Sequence, residues 1–177
     1  MKELLKLARE TLEVHFKGEE VKVSEKIKKN FSEKKACFVT LTENEDLRGC
    51  VGSLEARQEL WKDVVENSIN AAFNDSRFSE LTCEELKKIK IEISVLSVPK
   101  KISFASSEEL KKKITGKGVI IKKGFASATY LPQVWEEISD KEEFLSSLCE
   151  KAGLSLSAWK EKGLEVWIYK VKKIKEK

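Results

Sequence analysis

Residues 89–98, IKIEISVLSV, alternate between apolar and polar side chains for most of their length, and this pattern restricts the fold more than any other. A period of two is that of an extended strand, whose successive side chains point to opposite faces of a sheet. One face of this strand is aliphatic and the other carries lysine, glutamate and serine. We therefore predict a strand of an antiparallel or mixed sheet with one buried face, ended by Pro99.

The remaining chain mixes helical and strand periodicities without a regular strand–helix–strand repeat, which favours an α+β fold with antiparallel or mixed sheets flanked by helices. Its 177 residues suit one domain, or two small subdomains that share a core. Helices are predicted at 2–17, 58–73, 82–88, 106–114, 133–138 and 140–152. Thr82 with Glu85 forms a capping box for the third of these, and Asp140 with Glu143 caps the last. Further strands are predicted at 36–41 and 47–54, joined by a five-residue loop, at a strand pair within 118–131, and at 164–171.

No stretch is apolar enough for a transmembrane helix, and the first residues do not form a signal peptide. We therefore expect a cytoplasmic protein with no membrane partner. In that compartment Cys37, Cys50, Cys83 and Cys149 are predicted to be thiols. Because no two cysteines form a Cys-X-X-Cys pair and His15 is the only histidine, we expect no metal site and no cofactor.

The net charge of +4 comes from the C-terminal residues 170–177, which hold five lysines and one glutamate. The preceding residues contain 29 basic and 29 acidic side chains and are neutral. A neutral body argues against nucleic-acid binding over a broad face. We expect a solvated basic tail, with contact to a polyanion as the alternative.

Arginine and aspartate are rare in this chain, with 4 of each against 30 lysines and 26 glutamates. Lysine therefore supplies the ordinary surface charge, and arginine is expected where a planar two-pronged donor is needed. Two of the arginines, Arg48 and Arg77, and two of the aspartates, Asp46 and Asp75, fall in two short segments. These segments are the candidate site.

The first segment, DLRGCVGS at residues 46–53, places a cysteine beside an arginine and two glycines. Strand alternation puts Arg48 on the same face as Cys50, where a guanidinium favours the thiolate. Gly49 lets another backbone or a ligand approach closely. These features suggest Cys50 as a catalytic nucleophile with Arg48 setting its charge, although a small filler in a tight strand is an open alternative. A Cys–His dyad would require His15, which is more simply read as a packed, hydrogen-bonded histidine.

Two further clusters carry polar groups. Asp75 and Arg77, two residues apart in a turn, either pair with each other or present a guanidinium to an anion. Thr129 and Gln133 place a hydroxyl and an amide at a strand-to-helix junction, where a helix N-terminus attracts anions. Thr129 serves equally well as a cap.

Four segments, in this order, resemble the AMMECR-one domain family: KKACFVTLTENEDLRGCVGSLEA, AAFNDSRFSELTCEEL, IKIEISVLSVPKKI and ATYLPQVWEEISDKEEFLSSLCEKAGL. The LRGC motif is the family's hallmark, D-x-R-F and LPQVW reinforce it, and Ser76 stands where the family often has proline. Carried over by position, the resemblance implies the site residues Leu47, Arg48, Gly49, Cys50, Asp75, Arg77, Phe78, Thr129, Leu131, Pro132 and Gln133.

The resemblance also implies a larger and a smaller subdomain, the latter within about residues 100–150, with the hallmark near a cleft between them. In prokaryotes the family is known as AmmeMemoRadiSam system protein A, which implies a Memo-like protein and a radical-SAM enzyme as partners. It supplies no activity. One hypothesis is a cysteine-dependent enzyme or enzyme subunit, with Asp75, Arg77, Thr129 and Gln133 binding an anionic substrate. The alternative is a non-catalytic adaptor that uses the LRGC surface to contact a partner.

Overall fold

A computed structural model describes residues 1–177 and confirms the predicted α+β fold, with six α-helices and two antiparallel four-stranded sheets. The helices are α1 Lys2–His15, α2 Glu25–Asn30, α3 Leu60–Phe73, α4 Ser107–Ile114, α5 Val134–Glu137 and α6 Lys141–Lys151. The strands are β1 Cys37–Glu43, β2 Asp46–Gly52, β3 Lys90–Leu96, β4 Lys100–Ile102, β5 Gly118–Lys123, β6 Ala126–Tyr130, β7 Glu165–Tyr169 and β8 Val171–Lys175. None of these helices combines the length and the apolar character needed to cross a bilayer.

The chain divides into two compact units, Met1–Leu96 with Lys172–Lys177 and Ser97–Val171. The sheet of the first unit has the strand order β2-β1-β3-β8, and that of the second has the order β4-β7-β5-β6. The second unit includes the range 100–150 and extends to Val171.

In the first unit, strands β1 and β2 form the predicted hairpin, but its loop is shorter than the predicted five residues. Only Asn44 and Glu45 connect the strands, and both have positive φ, at 51° and 72°. Two successive left-handed residues give a turn whose twist matches that of the strands. The register then skips one residue, since Leu41 pairs with Gly49 and Thr42 pairs with Leu47. Arg48 is thereby left unpaired in a β-bulge.

Strand β3 shows the alternation that its sequence predicts, and its aliphatic face packs in the core that it shares with α1 and α3. Ile91 and Ile93 are completely buried, whereas Glu92 is partly exposed. A fully buried aliphatic side chain of this size contributes about 1.5–3 kcal/mol of transfer free energy. The polar face is open only along part of the strand, because Ser94 and Leu96 are also buried.

The C-terminal residues form a strand, and their five lysines are exposed, as the predicted solvated end requires of its side chains. Strand β8 lies beside β3, at the outer edge of the first sheet. Beyond it, the Glu176 carboxylate accepts a hydrogen bond from the Ile91 backbone N–H at 2.9 Å and forms an ion pair with Arg9. The prediction of a solvated end is therefore right for the lysine side chains and wrong for the backbone, because composition does not reveal a pairing partner that lies some eighty residues earlier in the chain.

The second unit forms its core between its sheet and helices α4 and α6. Asp140 caps α6 as predicted, accepting hydrogen bonds from the backbone N–H groups of Glu142 and Glu143 at 2.9 Å. Cys149 is completely buried, and the ring of Trp135 stacks on Phe144 with centroids 3.8 Å apart.

Local structure departs from the sequence prediction at three short elements. Helix α2, capped by Ser24, buries none of its residues, and β4 is three residues long, so neither produces a periodic pattern. The helix predicted within 82–88 is a single 3₁₀ turn, Glu85–Lys87.

We predict that Glu176→Gln lowers the free energy of unfolding by about 1–3 kcal/mol, because Arg9 and the Ile91 N–H lose a charged acceptor that is only 24% exposed. Urea unfolding measures the change. Glu150→Gln, on an exposed position of α6, is the matched control. Equal effects of the two substitutions would show that Glu176 does not anchor β8.

Candidate functional site

The backbone of Cys50 is held by two side chains from the loop after α3. Its N–H donates a hydrogen bond to Asp75 Oδ2 at 2.8 Å, and its carbonyl accepts one from Arg77 Nη2 at 3.2 Å. Strand β2 is an edge strand, so these backbone groups have no neighbouring strand to pair with. Asp75 and Arg77 take the place of that strand and fix Cys50 in position.

Asp75 and Arg77 also bind each other through two parallel hydrogen bonds, at 2.9 Å from Nε and 2.7 Å from Nη2. This contact with Arg77, with the Cys50 N–H as a further donor, holds the pKa of Asp75 far below its usual range. Asp75 in turn raises the pKa of Arg77. The structure therefore shows the predicted pair, and it leaves the Arg77 side chain 55% exposed.

Arg48 is directed away from the strand toward residues 79–85. Its Nε donates to Glu85 Oε1 at 2.8 Å, and its Nη2 donates to the carbonyls of Ser79 at 3.0 Å and Glu80 at 3.2 Å. Its side chain is 11% exposed, and the buried Nη1 has no hydrogen-bond partner. No hydrogen bond joins Arg48 to the Cys50 thiol. Arg48 thus fixes the loop 79–85 against the bulge of β2.

Glu85 connects Arg48 to the predicted capping box. Its carboxylate accepts hydrogen bonds from the Thr82 N–H at 2.7 Å and the Thr82 hydroxyl at 2.8 Å, and Thr82 Oγ1 accepts the Glu85 N–H at 3.2 Å. The contact with Arg48, followed by that with the Thr82 backbone, lowers the pKa of Glu85 to about 2. One carboxylate therefore orders both the turn and the arginine.

Phe78 lies between the two arginines of the site. Its ring centroid is 5.9 Å from the guanidinium carbon of Arg48 and 5.5 Å from that of Arg77. Both distances are within the range of cation–π attraction. Phe78, the aromatic residue of the D-x-R-F motif, therefore attracts both guanidinium groups to its ring.

Gly49 allows strand β2 to lie directly against helix α3. A Cβ atom at this position would come within 2.1 Å of the carbonyl oxygen of Ala71, so no other residue fits without moving the helix or the strand. The close approach predicted at Gly49 is thus made by backbone, which leaves no room for a ligand on this face. Since Gly49 faces the helix, Cys50 lies on the opposite face of the sheet.

The Cys50 thiol is partly exposed and lies 3.2 Å from the hydroxyl of Thr40, its cross-strand partner. Two of the other three free cysteines are buried, and burial raises the pKa of Cys37 and of Cys149. Cys83 is exposed. Cys50 and Cys83 are therefore the thiols that a solute can reach.

His15 lies at the end of α1, where it is exposed and packs on Phe73 with ring centroids 4.5 Å apart. It lines a groove of about 640 Å³ together with Trp61. The imidazole of His15 forms no hydrogen bond with Cys50 or with any other residue. The contact with Phe73 confirms that the histidine is packed, but the predicted hydrogen bond of its side chain is not formed.

The third predicted cluster belongs to the second unit. Thr129 Oγ1 donates to the Val119 carbonyl at 2.9 Å and lies 3.1 Å from the Tyr169 hydroxyl. Gln133 precedes the four-residue helix α5, and its buried Oε1 has no donor. Leu131 and Pro132 connect β6 to this helix and are half-buried.

The structure thus assembles Arg48, Cys50, Asp75, Arg77 and Phe78 in the first unit. Sequence reasoning missed two residues of this assembly, Glu85 as the partner of Arg48 and Thr40 as the partner of the thiol. The capping box signals Glu85, but its second contact depends on tertiary structure. Thr40 follows from the correct hairpin register, but the predicted five-residue loop is too long and therefore gives a different register.

Glu85 also makes stability pH-dependent, and the sign follows from its lowered pKa. A carboxylate with a lower pKa in the folded state stabilises the fold above its unfolded pKa, and the contribution is lost as pH falls through the folded value. We predict that wild-type stability falls between about pH 5 and pH 2 more steeply than that of Glu85→Gln. Thermal unfolding across this range measures the difference, and Glu84→Gln is the control. Parallel curves for all three proteins would contradict the prediction.

Comparisons with known proteins agree with this architecture. The AMMECR1 family model matches residues 5–174. A protein of Nanoarchaeum equitans is 38% identical over 94% of both chains, and one of Aquifex aeolicus is 37% identical over 100% of this chain and 93% of its own. The crystal structure of an uncharacterised protein from Pyrococcus horikoshii superposes with a TM-score of 0.83 at 32% identity, covering 98% of this chain and 90% of the other. The chain therefore belongs to the AMMECR1 family.

Proposed function

We propose that this AMMECR1-family protein binds, or covalently handles, a small anionic substrate or a modified residue of a partner protein at Cys50. The observation that supports this proposal is that a carboxylate and a half-exposed guanidinium fix the backbone of Cys50, the residue whose thiol is partly exposed. If Asp75 and Arg77 served only to prevent the edge of β2 from pairing with another chain, a partly exposed thiol at the centre of that edge would not be needed.

The first step of the proposal is preorganisation. Both outward-pointing backbone groups of Cys50 are bound by Asp75 and Arg77, so the residue cannot shift along the edge of the sheet. Thr40 fixes the thiol itself at 3.2 Å. A reactive group held in one geometry loses little entropy when its ligand binds.

The second step concerns charge. Arg77 uses its Nε and Nη2 on Asp75 and Cys50, whereas its Nη1 forms no hydrogen bond within the protein and the side chain is 55% exposed. A guanidinium with a free donor binds carboxylate or phosphate groups. A cationic neighbour also stabilises a thiolate, the nucleophilic form of cysteine. An anionic ligand bound at Arg77 would therefore lie beside the nucleophile.

Arg48, Thr129 and Gln133 have supporting roles in this proposal. Arg48 is held by Glu85 and sets the bulge that precedes Cys50. Thr129 and Gln133, in the second unit, are proposed substrate contacts, with the Gln133 amide N–H groups as the donors that an anion would accept. We further propose that the protein is cytoplasmic and works with a Memo-like protein and a radical-SAM enzyme.

The reactivity of Cys50 tests the site. At pH 7, iodoacetamide should alkylate Cys50 at least as fast as the exposed Cys83, and the buried Cys37 and Cys149 should not react in the folded protein. Arg77→Gln should slow Cys50 severalfold and leave Cys83 unchanged, because only Cys50 loses its cationic neighbour.

Peptide mass spectrometry after timed quenching gives each rate, with Cys83 as the internal reference. A Cys50 rate well below that of Cys83, or one that Arg77→Gln does not change, would show that the thiol is structural and would remove the basis of the proposal.

A second candidate function is a binding module, and the exposure of Leu47 favours it. This apolar side chain of the LRGC strand is 44% exposed on the same rigid edge. As an adaptor, the protein would contact a Memo-like or radical-SAM partner through this surface without chemistry at Cys50.

The two candidates differ in their response to substitution. For an adaptor, Leu47→Asp should weaken association with the partner by about tenfold or more, since an apolar contact becomes a buried charge, and Cys50→Ser should have no effect. Pull-down and titration with each purified partner measure both variants. Loss of cellular function in Cys50→Ser, with association and stability intact, would exclude the adaptor and favour the thiol site.

A further inference from the structure

Cys50 is the first residue of a polar row that crosses the sheet of the first unit. Thr40 on β1 pairs with Cys50 on one side and with Glu92 of β3 on the other, so the three side chains share one face. Lys173 of β8 continues the row, with its ammonium 3.9 Å from the Glu92 carboxylate. Four adjacent strands thus present a thiol, a hydroxyl, a carboxylate and an ammonium in one line.

This row lies on the face of the sheet that α1 and α3 do not cover. The neighbours of Glu92 along β3, Ile91 and Ile93, are completely buried in the core formed with those helices, so Glu92 points the other way. The Glu92 side chain is 24% exposed, and that of Lys173 is 42% exposed. Their separation of 3.9 Å makes a weak ion pair, which leaves the carboxylate able to bind a second cation.

Opposite charges consequently flank Cys50 on its two sides. Arg77 lies beyond the outer edge of β2, where it binds the Cys50 carbonyl. Glu92 lies two strands inward, at a backbone separation of about 10 Å from Cys50 given the usual strand spacing. A ligand whose reacting atom touches the thiol therefore has a guanidinium on one side and a carboxylate on the other.

We propose that the ligand of the Cys50 site is zwitterionic, with its anionic group toward Arg77 and its cationic group toward Glu92. A small molecule of the amino-acid type, or the end of a peptide that carries both charges, belongs to this class. The inference rests on the proposed function at Cys50, and it makes Glu92 a specificity-determining residue and Thr40 a positioning residue of that site.

Symmetrical disulfides of different charge test this inference. The probes are cystine, which is zwitterionic, cystamine, which is cationic, and dithiodiglycolate, which is anionic. In each reaction the Cys50 thiolate attacks one sulfur of the probe, a mixed disulfide forms, and the other half leaves as a thiolate. The proton of Cys50 goes to solvent, and no further oxidant is needed.

The measured quantity is the rate of mixed-disulfide formation at Cys50 divided by that at Cys83, followed at pH 7 by mass spectrometry of the intact folded protein. We expect this ratio to be largest for cystine, by about threefold over either probe that carries charges of one sign only, because two charged groups of the site then act on the probe across roughly 8–10 Å in a partly aqueous site. Glu92→Gln should remove most of the advantage of cystine over dithiodiglycolate. Lys173→Gln should increase the rate ratio for the two probes that carry ammonium groups, cystine and cystamine.

Glu13→Gln is the matched control, because it removes the same charge from an exposed position on α1, which covers the opposite face of the sheet. Thr40→Val should change the pH profile of Cys50 labelling and leave that of Cys83 unchanged, which a purely structural threonine would not do. Thermal unfolding confirms that each variant is folded.

Two outcomes overturn the inference in distinguishable ways. If dithiodiglycolate prefers Cys50 but cystine gains nothing further, or if Glu92→Gln behaves like Glu13→Gln, the zwitterionic ligand is excluded and the anionic site survives. If no probe reacts faster at Cys50 than at Cys83, the proposed function at Cys50 fails, and the inference fails with it.

Discussion

The hydrogen bond from the Cys50 N–H to the Asp75 carboxylate is the interaction on which the site depends. It joins the edge strand β2 to the loop after α3, and it brings Arg77 to the Cys50 carbonyl. Without it, an edge strand would leave these backbone groups to water or to another chain. The charge of Asp75 persists because its acceptors are bound by a guanidinium and by backbone N–H groups, which hold its pKa low.

The same chemistry recurs wherever this chain uses arginine at a buried position. Arg9 binds the carbonyls of Leu86 and Ile89 together with Glu176, and Arg48 binds two loop carbonyls together with Glu85. Each guanidinium joins a loop or strand end to a carboxylate, a task that needs several donors in a fixed plane. Lysine, a single flexible point charge, covers the surface instead. Three of the four arginines, Arg9, Arg48 and Arg77, thus join separate segments, and the fourth, Arg57, is exposed and pairs with Glu55.

Sequence periodicity was sufficient for the elements that bury one face. The alternation of β3, the helical spacing of α1 and α3, and the Asp140 cap all depend on local sequence, and the structure confirms these elements, while the buried face of α3 also holds the polar residues Asp63, Asn67 and Ser68. Elements stabilised by distant partners were not predictable in this way. Strand β8 is largely polar and forms because β3 offers an open edge and Arg9 binds Glu176. Its lysine-rich composition therefore did not indicate a strand.

At the site, the sequence by itself determined which residue types come together, because LRGC, D-x-R-F and the capping box each lie within one short segment. It also determined that Gly49 permits a close approach. Only the tertiary structure decided what approaches, namely the Ala71 carbonyl, and where each side chain is directed. A one-residue bulge sends Arg48 to Glu85, while Arg77, from a separate loop, lies beside Cys50. Local spacing fixes the face on which a side chain lies only within an unbroken strand, whereas a bulge and a loop contact are set by packing between segments distant in the chain.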